Sequence, residues 1–186
     1  MKKYELTDET IEVYGTALHR IKALKDFGNV KKGELGGYVE SERNLSQEGN
    51  CWVCGNAKVC GDAELCGDAK VCGNAWVSGN AEVYGNAKVY GNAWVYGNAL
   101  VCSDEDYAYA HGFGSVNRTT TFFRLKDGGV GVRCGCFYGT LAQFRDKIRE
   151  THGETKKAQE YLMLADLMEL RFEEDENEVG NRKYVE

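Results

Sequence analysis

Side chains able to do chemistry are few in this chain and unevenly placed. There are three histidines, His19, His111 and His152. Neutral imidazole is well suited to take a proton near pH 7. His111, in Tyr109-Ala110-His111-Gly112, lies just beyond a repeated segment that ends at Cys102 and is the one candidate general base. Eight cysteines raise the question of disulfides or a metal. Six of them, at 51, 54, 60, 66, 72 and 102, follow a six-residue register, not a disulfide or zinc spacing. Cys51-Trp52-Val53-Cys54 reads formally as C-x-x-C, yet the register sends Cys51 inward and Cys54 outward, so the two cannot chelate one ion. Cys134-Gly135-Cys136 puts two thiols on one strand face, with no second pair at zinc spacing. No metal is expected, and all eight cysteines are read as free thiols that serve as small packing groups.

The densest group of hydrogen-bond donors comes later. Ser115, Asn117, Arg118, Thr119, Thr120, Thr121, Arg124 and Arg133 concentrate in a chain that is otherwise acidic, with Phe122 and Phe137 among them. Alternation along a strand leaves Arg118, Thr120 and Phe122 on one face and Thr119, Thr121 and Phe123 on the other. Thr140 opens Thr140-Leu141-Ala142-Gln143, a capping box, and the N–H groups of a helix N-terminus attract anions. Donors beside an aromatic ring suit a phosphate-bearing small molecule. The competing reading is a polar hairpin whose groups satisfy one another.

These groups depend on the scaffold set by residues 49–102. Nine consecutive six-residue units run from Gly49 to Cys102, most of them Gly-Asn/Asp-Ala-x-Val-x. A fixed short period indicates a solenoid. Gly and Asn or Asp tolerate the left-handed backbone of a corner. Val53, Val59, Leu65, Val71, Val77, Val83, Val89, Val95 and Val101 then form inward rungs. Alanines 57 through 99, with Cys51 in the first unit, fill the corners. The chain has no proline, which suits a body built of ladder hydrogen bonds.

This repeat resembles the left-handed parallel β-helix of the hexapeptide-repeat superfamily, in which three hexapeptides make one triangular coil. The resemblance implies about three coils, left-handed, with residues 18 apart stacked. One face would carry Trp52, Lys70 and Lys88, with Cys54, Cys72 and Tyr90. A second would carry Lys58, Trp76 and Trp94 with Tyr96, and a third Glu64, Glu82 and Leu100. It also implies a homotrimer, and we expect Trp76, Trp94, Tyr90 and Tyr96 at the subunit contact. Acyltransferases of this superfamily usually use a catalytic histidine near the coils, with acyl-CoA as the donor, which would make His111 the base. The array itself contains no histidine and no interrupting loop.

The flanks resemble further groups. Ala23–Phe27, Gly36–Val39 and Asn44–Val53 are similar to the entry segment of uncharacterised bacterial and phage hexapeptide proteins. Ser115–Phe123 and Cys134–Thr140 are similar to a C-terminal domain found on phage and prophage proteins. Strands are expected at Tyr4–Leu6, His19–Leu24 and Tyr38–Val39, with Arg43–Glu48 as a degenerate tenth unit. After the array, Thr119–Leu125 and Val130–Cys136 read as a hairpin across an Asp-Gly turn, and Tyr107–Ala110 as a further strand. One helix opens at Thr140 and ends at Gly153, and a second runs from Lys156 to Phe172.

The chain of 186 residues is thus read as mainly β: an N-terminal strand cap over 1–48, the short β-helix over 49–102, an α+β domain over 103–172 and an acidic flexible tail over 173–186. Its net charge of -6 argues against binding a nucleic acid polymer or an anionic membrane. Met1–Thr7 has no apolar stretch of the kind that opens a secretory signal, which implies a cytoplasmic protein, in a bacterial host cell on the resemblance. The leading functional expectation is a non-catalytic, cofactor-free trimer that binds an anionic, nucleotide-like small molecule, in one version a phage sponge for a host signalling nucleotide. The alternatives are an acyltransferase and a structural trimer or adaptor.

Overall fold

Each six-residue unit folds into a two-residue strand and a corner. The corner needs a left-handed residue that approaches the next coil closely: Gly79 has φ 77°, and a Cβ there would sit 2.8 Å from the backbone nitrogen of Gly97. The computed structural model describes residues 1–114 and 117–173. Ser115 and most of the acidic tail, residues 174–186, lie outside the described residues.

An N-terminal hairpin, β1 (Tyr4–Val13) and β2 (Thr16–Ala23), leads to β3 (Leu35–Val39). Nine short strands follow: β4 (Trp52–Val53), β5 (Lys58–Val59), β6 (Glu64–Leu65), β7 (Lys70–Val71), β8 (Trp76–Val77), β9 (Glu82–Val83), β10 (Lys88–Val89), β11 (Trp94–Val95) and β12 (Leu100–Val101). They stack in parallel at a spacing of 18 residues, as in Trp76 on Trp94 and Glu64 on Glu82. Three faces result, in the orders β3-β5-β8-β11, β4-β7-β10 and β6-β9-β12, with β1 and β2 extending the first. All nine rung aliphatics are buried, as are Cys51 and the corner alanines.

The solenoid has about four turns, one more than the repeat alone implies. β3 pairs with β5, Tyr38 beside Lys58, and Leu45 bridges to Leu65. The offset at both places is 20 residues, because Leu45 to Val53 spans eight positions where later units span six. The extra turn is therefore out of phase with the array, although the segment around Leu45 does act as a degenerate unit. Trp52, expected on an outer face, is buried by edge contacts from Tyr4 and Phe27.

Beyond the array, β13 (Tyr107–Phe113), β14 (Arg118–Arg124), β15 (Val130–Cys134) and β16 (Phe137–Thr140) form an antiparallel sheet in that order. α1 (Leu141–His152) and α2 (Lys156–Phe172) cover it. The sheet has two buried faces. Phe123 and Tyr107 join the solenoid core, whereas Phe122 and Val132 pack with Phe144, Tyr161 and Ala165 of the helices. β16 is a strand that the sequence pattern does not predict. Gly135, at φ 59°, breaks the strand, so Cys134 and Cys136 do not share one strand face. No helix among the described residues is long and apolar enough to cross a membrane.

Candidate functional site

A parallel coil donates its N–H groups toward the next coil, as Trp76 N–H does to Ala93 O at 2.9 Å. The last coil has no successor, and an open edge of unpaired N–H groups invites pairing with another chain. Here side-chain acceptors meet several of them. Asp104 Oδ1 accepts from Lys88 N–H at 2.7 Å, the Tyr107 hydroxyl from Tyr90 N–H at 3.2 Å, and Thr121 Oγ1 from Trp94 N–H at 2.9 Å. Asp106 Oδ2 accepts from Cys102 N–H and Ser103 N–H, each at 3.0 Å. At the opposite end the exposed groups are carbonyls, and the capping side chains are donors. Fully buried Lys3 Nζ donates to Cys51 O (3.0 Å) and Glu48 O (3.1 Å), the Tyr4 hydroxyl to Leu45 O (2.7 Å), and Asn44 Nδ2 to Gly61 O and Ala63 O.

This closure uses much of the donor cluster read from the sequence. Thr120, Thr121 and Phe122 are buried and drop out as ligand contacts. Thr121 caps the coil, the Thr120 hydroxyl donates to Cys134 Sγ at 3.1 Å, and Phe122 packs on Phe144. Arg124 is paired with buried Asp106 at 3.4 Å and donates to Phe172 O. Arg133 lies over the Trp94 ring at 4.1 Å and donates to the carbonyls of Cys136 and Phe137. Thr140 is the N-cap of α1, accepting from Gln143 N–H. Phe137 borders an open groove of about 490 Å³ whose charged groups are Asp146, Lys147 and Glu150, a lining ill suited to an anion.

What stays at the surface is smaller. Asn117, at φ 48°, and Arg118 are exposed, and Thr119 is half-buried. The Arg118 guanidinium lies where a Cβ at position 135 would stand, so Gly135 makes its place, and it forms no ion pair among the described residues. Exposed His111 has Nδ1 3.0 Å from Thr119 Oγ1.

A second feature runs along the β5-β8-β11 face. Trp76 and Trp94 stack with centroids 4.7 Å apart and planes 6° apart. Tyr14, at the hairpin tip, stacks on the outer face of Trp76 at 5.6 Å, and Arg133 covers the far face of Trp94. Tyr96 meets Trp94 and Tyr138 edge-on. The faces of both tryptophan rings are thus covered within one chain, and both side chains stay part-exposed. Tyr90 follows β10 and lies on a different face, exposed. The sequence pattern predicts neither contact: nothing in a hairpin's sequence reports which ring Tyr14 at its tip will reach, and Tyr138 lies on β16, a strand the pattern does not separate from Val130–Cys136.

The cysteines depart from expectation once. Cys54 and Cys72 form a disulfide, with Cα atoms 4.7 Å apart. Residues one coil apart on one face stand at ladder spacing, which is within disulfide reach. Cys51 is buried, and burial pushes its thiol up while the Lys3 ammonium opposes the shift. Burial also raises Cys60, whose Sγ accepts from Trp76 Nε1 at 3.2 Å. Among the described residues no three His, Cys, Asp or Glu side chains come together as a metal site.

Rungs every 18 residues, glycine corners and a continuous valine core make this chain a parallel β-solenoid of six-residue units, which fits the hexapeptide-repeat β-helix superfamily. No family model matches it. It is similar to a protein of Escherichia coli (strain K12) described as the uncharacterized acetyltransferase YdcK, with 39% identity over 61 residues. That match takes in 28% of this chain, and the chain covers only 19% of the length of that relative.

Proposed function

We propose that the protein is a non-catalytic oligomeric binding platform. Copies associate side by side as a homotrimer through the face bearing Trp76, Trp94 and Tyr96, and each C-terminal domain holds an anionic small molecule of the nucleotide class without converting it. Arg118 carries this reading. It is exposed, positioned over Gly135 and without an ion pair among the described residues, whereas Arg124 and Arg133 of the same sheet are engaged within the chain. Asn117, Thr119 and His111 supply further polar groups at the same end of the sheet. The side-by-side assembly is supported by the caps, because they close the two ends of the solenoid to stacking of copies end to end; Tyr14, Arg133 and Tyr138 reach from them onto the tryptophan face and would share in the lateral contact. Sequestration of a host nucleotide is the version favoured by the likeness of the flanking segments to phage proteins. Titration calorimetry with a panel of nucleotides and with inorganic phosphate tests the site. Arg118→Ala should weaken binding by about ten- to a hundredfold, the worth of a hydrogen bond to a charged group. Binding that this variant leaves unchanged, or no binding to any of the panel, sinks the reading.

One contact favours a second reading, acyl transfer from acyl-CoA. If Nδ1–H of His111 donates to Thr119 Oγ1, Nε2 keeps its lone pair and can accept a proton from an acceptor hydroxyl or amine. The likeness to a protein described as an acetyltransferase points the same way. Acetyl transfer from acetyl-CoA that is lost in His111→Ala would support this alternative; transfer retained in the variant excludes His111 as base.

A further inference from the structure

Helix α2 has two apolar faces. One, with Ala158, Tyr161, Ala165, Met168 and Phe172, is buried. The other carries Met163, Leu167 and Leu170, which are 72%, 54% and 67% exposed. Their spacing, i, i+4 and i+7, sets them in one stripe along the helix. Large side chains exposed together in such a stripe mark an interaction surface, whereas scattered ones need no explanation.

The charges beside the stripe indicate what covers it. Glu160, three residues before Met163, and Arg171, four residues after Leu167, flank the stripe on the same side. Neither has an ion pair among the described residues. Asp166 and Glu169, on the opposite flank, are already held by Arg145 at 2.8 Å. Glu160 and Arg171 are separated by about 16 Å along the axis at about 1.5 Å per residue. An antiparallel copy of the same helix, related by a two-fold axis near Ala165 and Asp166, sets Met163 against Leu167 of the second copy. It also brings Glu160 opposite Arg171, and by symmetry each contact is made twice.

We propose that a second copy of this chain docks on the Met163-Leu167-Leu170 stripe, α2 against α2, antiparallel and closed by two reciprocal Glu160–Arg171 ion pairs. The contact is separate from the solenoid face invoked for the trimer. It is small, so it forms reversibly with concentration.

Sedimentation equilibrium of the full chain over a wide concentration range tests it. The mass of the basic unit should double as concentration rises. Leu167→Asp should raise the dissociation constant at least about a hundredfold, since one leucine is lost on each side of the axis. Its far-UV spectrum and melting should stay as in the parent, because the side chain is exposed. Arg171→Glu should weaken association about tenfold by setting like charges together, and the double change Glu160→Arg with Arg171→Glu should restore it. A mass that never doubles overturns the proposal. So does a doubling indifferent to Leu167→Asp, or a charge-swapped double variant as weak as the single one. Protection of Met163 from oxidation in a chain that never doubles would put a segment of the same chain over the stripe, and would also overturn it. Arg118→Ala should leave the doubling intact, so this inference and the nucleotide reading fail separately.

Discussion

Replacing Thr121 by valine keeps the shape of the side chain and deletes one acceptor. Thr121 is buried, and its Oγ1 takes the Trp94 N–H at 2.9 Å. Valine suits a strand as well as threonine does, so propensity does not confound the change. The Trp94 N–H has no following coil to receive it. A buried donor left without a partner costs about 1–3 kcal/mol, more than the net worth of the bond itself. A chain of this size loses about 2–4 °C in melting temperature per kcal/mol. Urea unfolding should therefore show a lower midpoint with an unchanged slope. Thr119→Val removes a hydroxyl from the same strand face at a less buried position and should fall within about 0.5 kcal/mol of the parent. If Thr121→Val is neutral or stabilising, that N–H is satisfied otherwise and the capping account of the last coil is wrong.

Gly79→Ala combines a φ of 77° with a Cβ 2.8 Å from Gly97 N, and should cost about 1–2 kcal/mol from the backbone alone, read by chemical denaturation. Cys54→Ser removes the cross-link between positions 18 apart and should cost up to about 3 kcal/mol under oxidising conditions. Under a reductant the parent and this variant should melt alike, and a persistent gap would mean that packing, not the cross-link, is lost. Tyr161 is pushed up to about 12, first by burial and then by the neighbouring Cys134 thiol, from an ordinary value of 10.0. Its folded pKa is raised, so its contribution is whole below pH 10 and fades as pH climbs toward about 12. Tyr161→Phe should flatten that part of the stability profile, and an unchanged alkaline slope would count against it.

The solenoid was legible because inward and outward positions are decided within each six-residue unit. Val77 and Ala75 face inward for reasons contained in Gly73–Ser78. The first turn was not, since Tyr38 and Leu45 pair 20 residues ahead and break the period. The helices were also legible, α1 from the Thr140–Gln143 box and α2 from its apolar spacing, although the spacing did not disclose a second stripe at Met163, Leu167 and Leu170. The candidate site was read only in part. Composition locates donors, but it does not separate a threonine that closes its own chain, such as Thr121, from a residue left at the surface, such as Arg118. That difference depends on which N–H groups the last coil leaves open, a property of the assembled fold. Lys3 and Asp106 are illegible for the same reason, each being an ordinary charged residue until a coil end is placed against it.

The two capped ends make the array behave as a spacer with a phase. Each cap recognises only the coil it touches, carbonyls below and N–H groups above. Eighteen residues added between them would lengthen the rod by one coil and return both caps to the same face. Six residues added before Trp76 would instead turn the C-terminal sheet, together with the tryptophan pair it covers, by a third of a revolution relative to the N-terminal hairpin, taking Trp76 away from Tyr14. Length can therefore drift in whole turns while the relation between the two ends is kept, whereas a change of one or two units there turns the tryptophan column off the face that Tyr14 reaches.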